Sequence, residues 1–522
     1  MGYDPVRDMV GTGLSLREAR AVGGAWFAAA IGLYWLTGAR GLIWADPSKL
    51  TLYALEGYFP SLNPGDHAGW TVLAWTWLHL VGGDPVVAAH RLSALCGSLV
   101  VALAALVVLA RSGEKARGHT AGALILAALP IWWAAAVAET YAPALAATLA
   151  AALALGAAPR GWRWWVAGGV WGLAIAMHAM TLFLIVPLAW EGAREKAWRL
   201  LPGVVVGSAP LWLALFGAPR DPLTGFAASG PSTWRWHLEA FLALARTPRN
   251  ALALAALLLY ALGVLGIVAL WRGRCGTRGS AVWAWSLGAL SLLLLTYAPY
   301  RLHLMVAFLL VGLLLALPVR LPAWARVGHV VLQAVVYLVI PTVLTVAGRQ
   351  SLGVRMLPGR NNAFYFLCPI KSVRVDPAAV MESWRDTPRT PGVTTAWGRW
   401  KEALDAGTES YLSGFSGCSP THAVVLADFN PGAVLRLAQV ARGWRPDLEI
   451  RPVAVDVALG APDPVVALVA EVERGLAARP VVLADSYGPY YHPRELSTRF
   501  DLHPCGSVVQ VGRLRPESSP WP

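Results

Sequence analysis

The stretch GLIWADPSKLTLY, residues 41–53, decides how the chain is read: an apolar run stops at Trp44, and a carboxylate, Asp46, follows two residues later. If the run before it crosses a membrane, Asp46 stands at a helix mouth and the chain organises around that point. Composition supports the membrane. Of 522 residues, 56% are hydrophobic and only 14% charged, with a mean hydropathy of +0.52. A soluble chain this apolar could not cover its surface with polar groups. The net charge of +13 then reads as loop charge at a membrane face, because no basic run is interleaved with aromatics as a nucleic-acid site would be. Many of the 26 tryptophans sit at the ends of apolar runs, among them Trp44, Trp70, Trp132, Trp133, Trp164, Trp165, Trp198 and Trp271, where indole suits the membrane interface.

Outward from residues 41–53, apolar segments of spanning character fall near 21–43, 87–110, 119–136, 141–157, 164–177, 179–190, 200–217, 250–271, 281–297, 302–318 and 327–347. They predict a mainly α, polytopic bundle of about eleven spans. The polar N-terminal stretch has no cleavage site, so the run from Ala21 reads as an uncleaved anchor. With the N-terminus cytoplasmic, the inner loops hold sixteen cations, such as Arg111, Lys115, Arg117, Arg272 and Arg274, against six in the outer ones. That is a positive-inside bias, and an odd span count puts the C-terminus outside. The long outer loop 45–86 is too interrupted to span and reads as one or two amphipathic helices lying on the membrane surface.

After residue 347 the pattern changes. Residues 1–347 form the expected transmembrane domain and 348–522 a soluble, extracytoplasmic α/β domain. Strands are expected at 422–429, 449–457, 480–486 and 507–514, with helices at 431–444 and 463–478. No glycine-rich phosphate loop follows the strands that end in Asp428 and Asp485. Of five cysteines, Cys368, Cys418 and Cys505 lie in this region, where one disulfide or unpaired thiols are both open.

Several polar residues gather at the outer ends of the helices. Asp46 follows the first, Asp66 and His67 lie in NPGDHAGW, and Glu139 and Tyr141 in AVAETYAP. His178 occupies the next outer turn, and Tyr297, Tyr300, Arg301 and His303 lie in TYAPYRLH. Desolvating such groups costs several kcal/mol each unless they are paired or face water. Any one of them has a structural reading, as a solvated helix end or a satisfied interhelical histidine. Together they suggest one polar cavity open to the outside.

These motifs, in order, resemble the GT-C superfamily of polytopic glycosyltransferases. Within it the chain is similar to a bacterial family of unknown function related to a eukaryotic protein O-mannosyltransferase. ADPSKL (45–50) resembles the family's GDSGEL-like motif, with Asp46 on its aspartate. DHAGW (66–70) keeps a glycine and an aromatic of a HPPGYPL-like element. AHRLSALCGSL (89–99), AVAETYAP (136–143) and GLAIAMHAMTLFLIVP (172–187) follow in order. In the tail, HAVVLADFNPGAVLRLAQVARGWRPDLEI (422–450), RPVVLADS (479–486) and LHPCGSVVQVGRL (502–514) match closing segments. The chain departs at Lys49, where the family has a second acid, and at Asp66, where it has histidine.

The resemblance implies transfer of a sugar from a polyprenyl-phosphate donor to a protein or glycan acceptor on the outer face of the bacterial inner membrane. Asp46 is the candidate base, and Glu139 orients sugar or acceptor or holds a divalent cation with Asp46. Arg301 and His178 are candidates for the lipid phosphate, with Asp66, His67 and Tyr297 lining the substrate site. No cofactor beyond that cation is called for. Two other classes stay open: a transporter or flippase of lipid-linked material, and a catalytically silent scaffold, for which Lys49 is the best support.

Overall fold

The computed structural model of the protein describes residues 15–44, 46–58, 67–156, 162–193, 197–217, 248–272, 280–295, 299–317, 319–352, 368–369, 408–453, 463–485, 491–505 and 508–514. The first helix, α1 (Leu16–Thr37), is started by Ser15 and Glu18, which cap each other's backbone N–H groups, and it stops at Gly38. An extended connection leads to α2 (Asp46–Glu56), then α3 (Ala68–Val81) and α4 (Pro85–Ser112). Asp84 caps α4 with Pro85 behind it, and Gly113 closes it at φ 68°. Next come α5 (Lys115–Leu126) and α6 (Leu129–Ala136), α7 (Tyr141–Gly156), α8 (Arg163–Met177) and α9 (Leu182–Ala193). The bundle continues with α10 (Leu201–Gly207), α11 (Ala209–Gly217), α12 (Pro248–Arg272), α13 (Ser280–Leu294), α14 (Pro299–Ala316) and α15 (Ala323–Leu352).

Every apolar segment read from the sequence is found as one helix or a broken pair. Among the described residues, three helices are long and apolar enough to cross a bilayer: Pro85–Ser112, Asn250–Trp271 and Ala323–Ile340. The α5–α6 pair, bent by 60°, makes a fourth, and five other apolar helices run 10–17 residues. Breaks inside apolar surroundings must re-satisfy the carbonyls they free. Tyr34 Oη donates to the Leu126 carbonyl at 3.1 Å and Tyr337 Oη to that of Ala127 at 2.7 Å. In α12 the kink falls at Gly263, at φ 60°, and Gln333 Nε2 donates to the carbonyls of Tyr260 and Ala261. Helices α8 and α10 meet through glycine: a Cβ on Gly172 would strike the Val204 carbonyl, and one on Gly207 the backbone of Gly169.

Tryptophan is only partly interfacial. Trp165, Trp198 and Trp271 are exposed, whereas Trp44, Trp70, Trp132, Trp133 and Trp164 are buried in the cores. Of the buried indoles, Trp132 donates its N–H to the Thr37 hydroxyl at 2.8 Å, and Trp70 and Trp171 donate theirs to the carbonyls of Leu50 and Thr148.

The C-terminal elements are α16 (Thr408–Cys418), β1 (Val424–Ala427), α17 (Phe429–Arg442), β2 (Glu449–Pro452), α18 (Pro464–Leu476), β3 (Val481–Leu483), α19 (Pro493–Leu496), β4 (Phe500–Cys505) and β5 (Val508–Leu514). The strands make one sheet in the order β2-β1-β3-β5-β4. β2, β1 and β3 are parallel, and β5 is antiparallel to both its neighbours. β1 and β3 are wholly buried, as parallel strands covered on both faces require. Cys418 and Cys505 form a disulfide between the end of α16 and the end of β4.

Helix α2 joins the two parts. It does not lie on a surface: Pro47 through Ala54 are all buried. Leu50 and Ala54, one turn apart, belong to the bundle's core. Leu52 and Tyr53 belong to the core of the sheet unit, with Leu42 and Trp44. Trp44 meets Tyr411 of α16 edge-on at 4.8 Å between ring centroids. Arg436 of α17 pairs with Glu56 at 3.2 Å. A helix with one face apolar reads as interfacial; this one is covered on both.

Candidate functional site

Asp46 opens α2 with its side chain 57% exposed, while Lys49, one turn on, is only 9% exposed. Their charged atoms lie 3.2 Å apart. The ammonium also stands 5.9 Å from the centre of the Tyr53 ring. The helix that carries them is pinned from the bundle side, where Trp70 Nε1 donates to the Leu50 carbonyl at 3.1 Å.

Glu139 lies in the short break 137–140 between α6 and α7 and is buried. Its backbone N–H donates to Ser93 Oγ at 3.1 Å, and one carboxylate oxygen accepts from the Thr140 N–H at 3.3 Å. Burial pushes its carboxyl well above the usual carboxylate range; the negative charge of Asp46 adds to this, and Lys49 works against it. Glu139 therefore lies within electrical reach of Asp46 and Lys49. The break is fixed by His90 of α4. Its Nδ1 accepts from the Ala138 N–H at 2.8 Å, so its Nε2 carries the proton donated to the Gly41 carbonyl at 3.0 Å. One imidazole thus ties the connection before Asp46 to the break that carries Glu139.

A second group lies beside the first. His67 and His178 stack with ring centroids 5.0 Å apart. His178 also packs on Tyr141 at 4.6 Å and Phe308 at 4.9 Å. His67 occupies the left-handed region, φ 55°, at the start of α3. Its Nδ1 donates to the Met177 carbonyl at 2.6 Å, and His178 Nδ1 accepts from the Met180 N–H at 3.3 Å. Burial, helped by the charge of Lys49, pulls His67 down to about 3. Burial and His67 together hold His178 well below its ordinary value. Both rings are uncharged, and their tautomers are set by backbone partners.

Lys49 pairs with Asp46, its charge reaches Glu139 and His67, and His178 stacks on His67. Asp66, Tyr297 and the side chain of Arg301 lie outside the described residues. The backbone of Arg301 is in α14, two turns before Phe308 on the ring cluster. Sequence reasoning missed His90, Ser93 and Phe308, which sit inside apolar helical runs with no local signal of their role. Among the described residues, no three His, Cys, Asp or Glu side chains converge as metal ligands.

No family model matches the sequence, and no curated protein does. The fold is similar to the crystal structure of ArnT from Cupriavidus metallidurans in the apo state. The TM-score is 0.51 at 13% identity, covering 93% of this chain and 97% of that one. The likeness is one of fold, over nearly the whole length of both chains.

Proposed function

We propose that the protein is a multi-pass membrane glycosyltransferase that moves a sugar from a polyprenyl-phosphate donor to an envelope or protein acceptor. The observation that carries this is the Asp46–Lys49–Glu139 arrangement, an open carboxylate paired with a buried lysine whose charge reaches a buried acid, on a fold similar to that of ArnT.

In this proposal the acceptor hydroxyl oxygen attacks the anomeric carbon from the side opposite the phosphate. The new C–O bond forms as the bond from that carbon to the phosphate oxygen breaks. The hydroxyl proton passes to Asp46, and the electron pair leaves with the polyprenyl phosphate, so the anomeric configuration inverts. Asp46 suits the base because it is the exposed member of the group; such help is worth about 10²–10⁴-fold in rate. Glu139 hydrogen-bonds the sugar or acceptor in this reading. His67, the part-exposed member of the ring cluster, offers an uncharged ring face to a sugar, with His178 stacked behind it and Tyr141 and Phe308 packed on His178. Arg301, whose backbone lies in α14, is the candidate for the phosphate, which arginine binds with two parallel hydrogen bonds.

The site faces the outer side of the bacterial inner membrane, with the N-terminus cytoplasmic. The Cys418–Cys505 disulfide supports that side, because such bonds persist in oxidising compartments. Residues 348–522 then form an extracytoplasmic domain seated on 1–347 through α2. The test is to incubate the purified protein with a panel of polyprenyl phosphates bearing labelled sugars. Label leaving the lipid with one donor is the expected result. Label that crosses sealed vesicles still attached to lipid would instead make the protein a flippase.

A further inference from the structure

His90, Ser93 and Gly97 lie on one face of α4, spaced i, i+3 and i+7. Gly97 leaves no room for a side chain against Ala135 and the Tyr34 ring, so α4 and the end of α6 are in close contact there. One turn earlier, Ser93 Oγ accepts from the Glu139 N–H at 3.1 Å and donates to the Glu139 carbonyl at 3.4 Å. Another turn earlier, His90 accepts from the Ala138 N–H and donates to the Gly41 carbonyl. The two segments it bridges also meet directly, where the Ala39 N–H donates to the Ala136 carbonyl at 2.8 Å. Beyond Gly41, the Ile43 carbonyl accepts from Ser48 Oγ, in the first turn of the helix that Asp46 opens. Asp46 and Glu139 are thus each a few residues from a backbone group held by the same ring.

We propose that His90 is a positioning residue that locks the Asp46 and Glu139 segments in one relative placement. The inference rests on the transferase reading above and adds the part that holds its base in register with its second acid. A serine or a water satisfies a freed N–H or carbonyl singly. Imidazole does more, because its acceptor and its donor are fixed on one rigid ring and a single neutral tautomer makes both bonds. Ser93 and Gly97, on the same face, hold the break 137–140 against α4, so the ring has a fixed base to work from. Asp46 and Glu139 come from segments far apart in sequence, and α4 is the element on which both are seated. Catalysis is sensitive to such placement, since a displacement of about 1 Å can cost about 10²-fold in rate. The stability of the fold is much less sensitive to one buried hydrogen bond. The two effects therefore separate in a variant that keeps one bond and loses the other.

His90→Asn and His90→Gln, made in the full-length protein, are those variants. The asparagine amide sets an acceptor where Nδ1 stands and keeps the Ala138 bond. The glutamine amide sets a donor where Nε2 stands and keeps the Gly41 bond. Each frees one segment, and hydrogen exchange in detergent reads which: exchange should rise over 137–140 in His90→Gln and over 38–44 in His90→Asn. With the donor that the panel identifies, kcat should fall roughly 10- to 10²-fold in each variant, at a donor KM unchanged to within about twofold. Placed on Asp46→Asn, either substitution should lower the residual rate by less than about threefold, because the base that it positions is gone. Wild-type kcat in both variants would overturn the proposal and leave His90 a residue of the fold alone. The same loss on Asp46→Asn as on the wild type would also overturn it, and so would unchanged exchange over both segments. Segment-specific exchange in a protein that releases sugar from no donor would leave the lock standing and sink the transferase reading alone.

Discussion

Leu52→Ala should loosen the C-terminal sheet, although the residue lies in the first connection of the bundle. Leu52 is fully buried in the core cluster that also holds Val424, Leu426, Leu435 and Val482. Removing a buried leucine side chain to alanine costs about 2–5 kcal/mol, through lost transfer energy plus the cavity left behind. At 1.36 kcal/mol per factor of ten, that is roughly 30- to 5,000-fold faster exchange for amides protected by closure of the sheet unit. Hydrogen exchange read by mass spectrometry over 424–427 and 481–483 is the assay. Leu50→Ala is the matched control, because Leu50 sits on the other face of α2, in the bundle's core. It should affect α4 and leave β1 and β3 much less changed. Unchanged exchange in β1 and β3 for Leu52→Ala, or equal effects from both variants, would refute the two-sided burial of α2.

Three further outcomes follow from the packing and charge. Gly207→Ala drives a methyl into the Gly169 backbone and should lower the melting temperature by the equivalent of about 1–3 kcal/mol, whereas Gly24→Ala, with open space around it, should not; equal melting in detergent would contradict the close α8–α10 contact. The Cys418–Cys505 bond spans 87 residues of sequence, so Cys505→Ser or reductant should cost the sheet unit about 2–5 kcal/mol, measured as a lower unfolding midpoint; indifference to reductant would show that the thiols are apart. Arg445 donates from Nε and Nη2 to Asp447 at 2.8 Å each, and these bonds hold the Asp447 carboxyl well below the usual carboxylate range. A depressed folded value stabilises at pH above the unfolded value of about 3.9, and the contribution is lost as pH falls through the folded value. The acid limb of a pH–melting profile should therefore flatten in Asp447→Asn, and an unchanged limb would remove Asp447 from the account.

The helices were legible because long apolar runs need no tertiary context to be recognised. The same runs hid what interrupts them. The bends at 127–128 and Gly263 are stabilised by Tyr337 and Gln333, more than 70 positions away in sequence. α2 read as an interfacial helix because its second covering face comes from α17, some 380 residues downstream. Lys49 read as a lost acid; only the fold shows that its ammonium is buried. Asp46, Glu139, His67 and His178 stood out in the sequence because polar residues inside apolar sequence are expensive and therefore visible. His90 and Ser93 were not, because a helix-borne histidine or serine reads equally well as core. β4 escaped notice because DLHPC alternates poorly and contains proline.

The most direct measurement compares wild type and Asp46→Asn for release of labelled sugar from the polyprenyl phosphate that the panel identifies as donor. The substituted amide keeps the shape of the carboxylate at the head of α2 but cannot take the acceptor's proton. The account predicts an unchanged melting temperature and a transfer rate lower by roughly 10²–10⁴-fold. Transfer at the wild-type rate in Asp46→Asn would contradict the account.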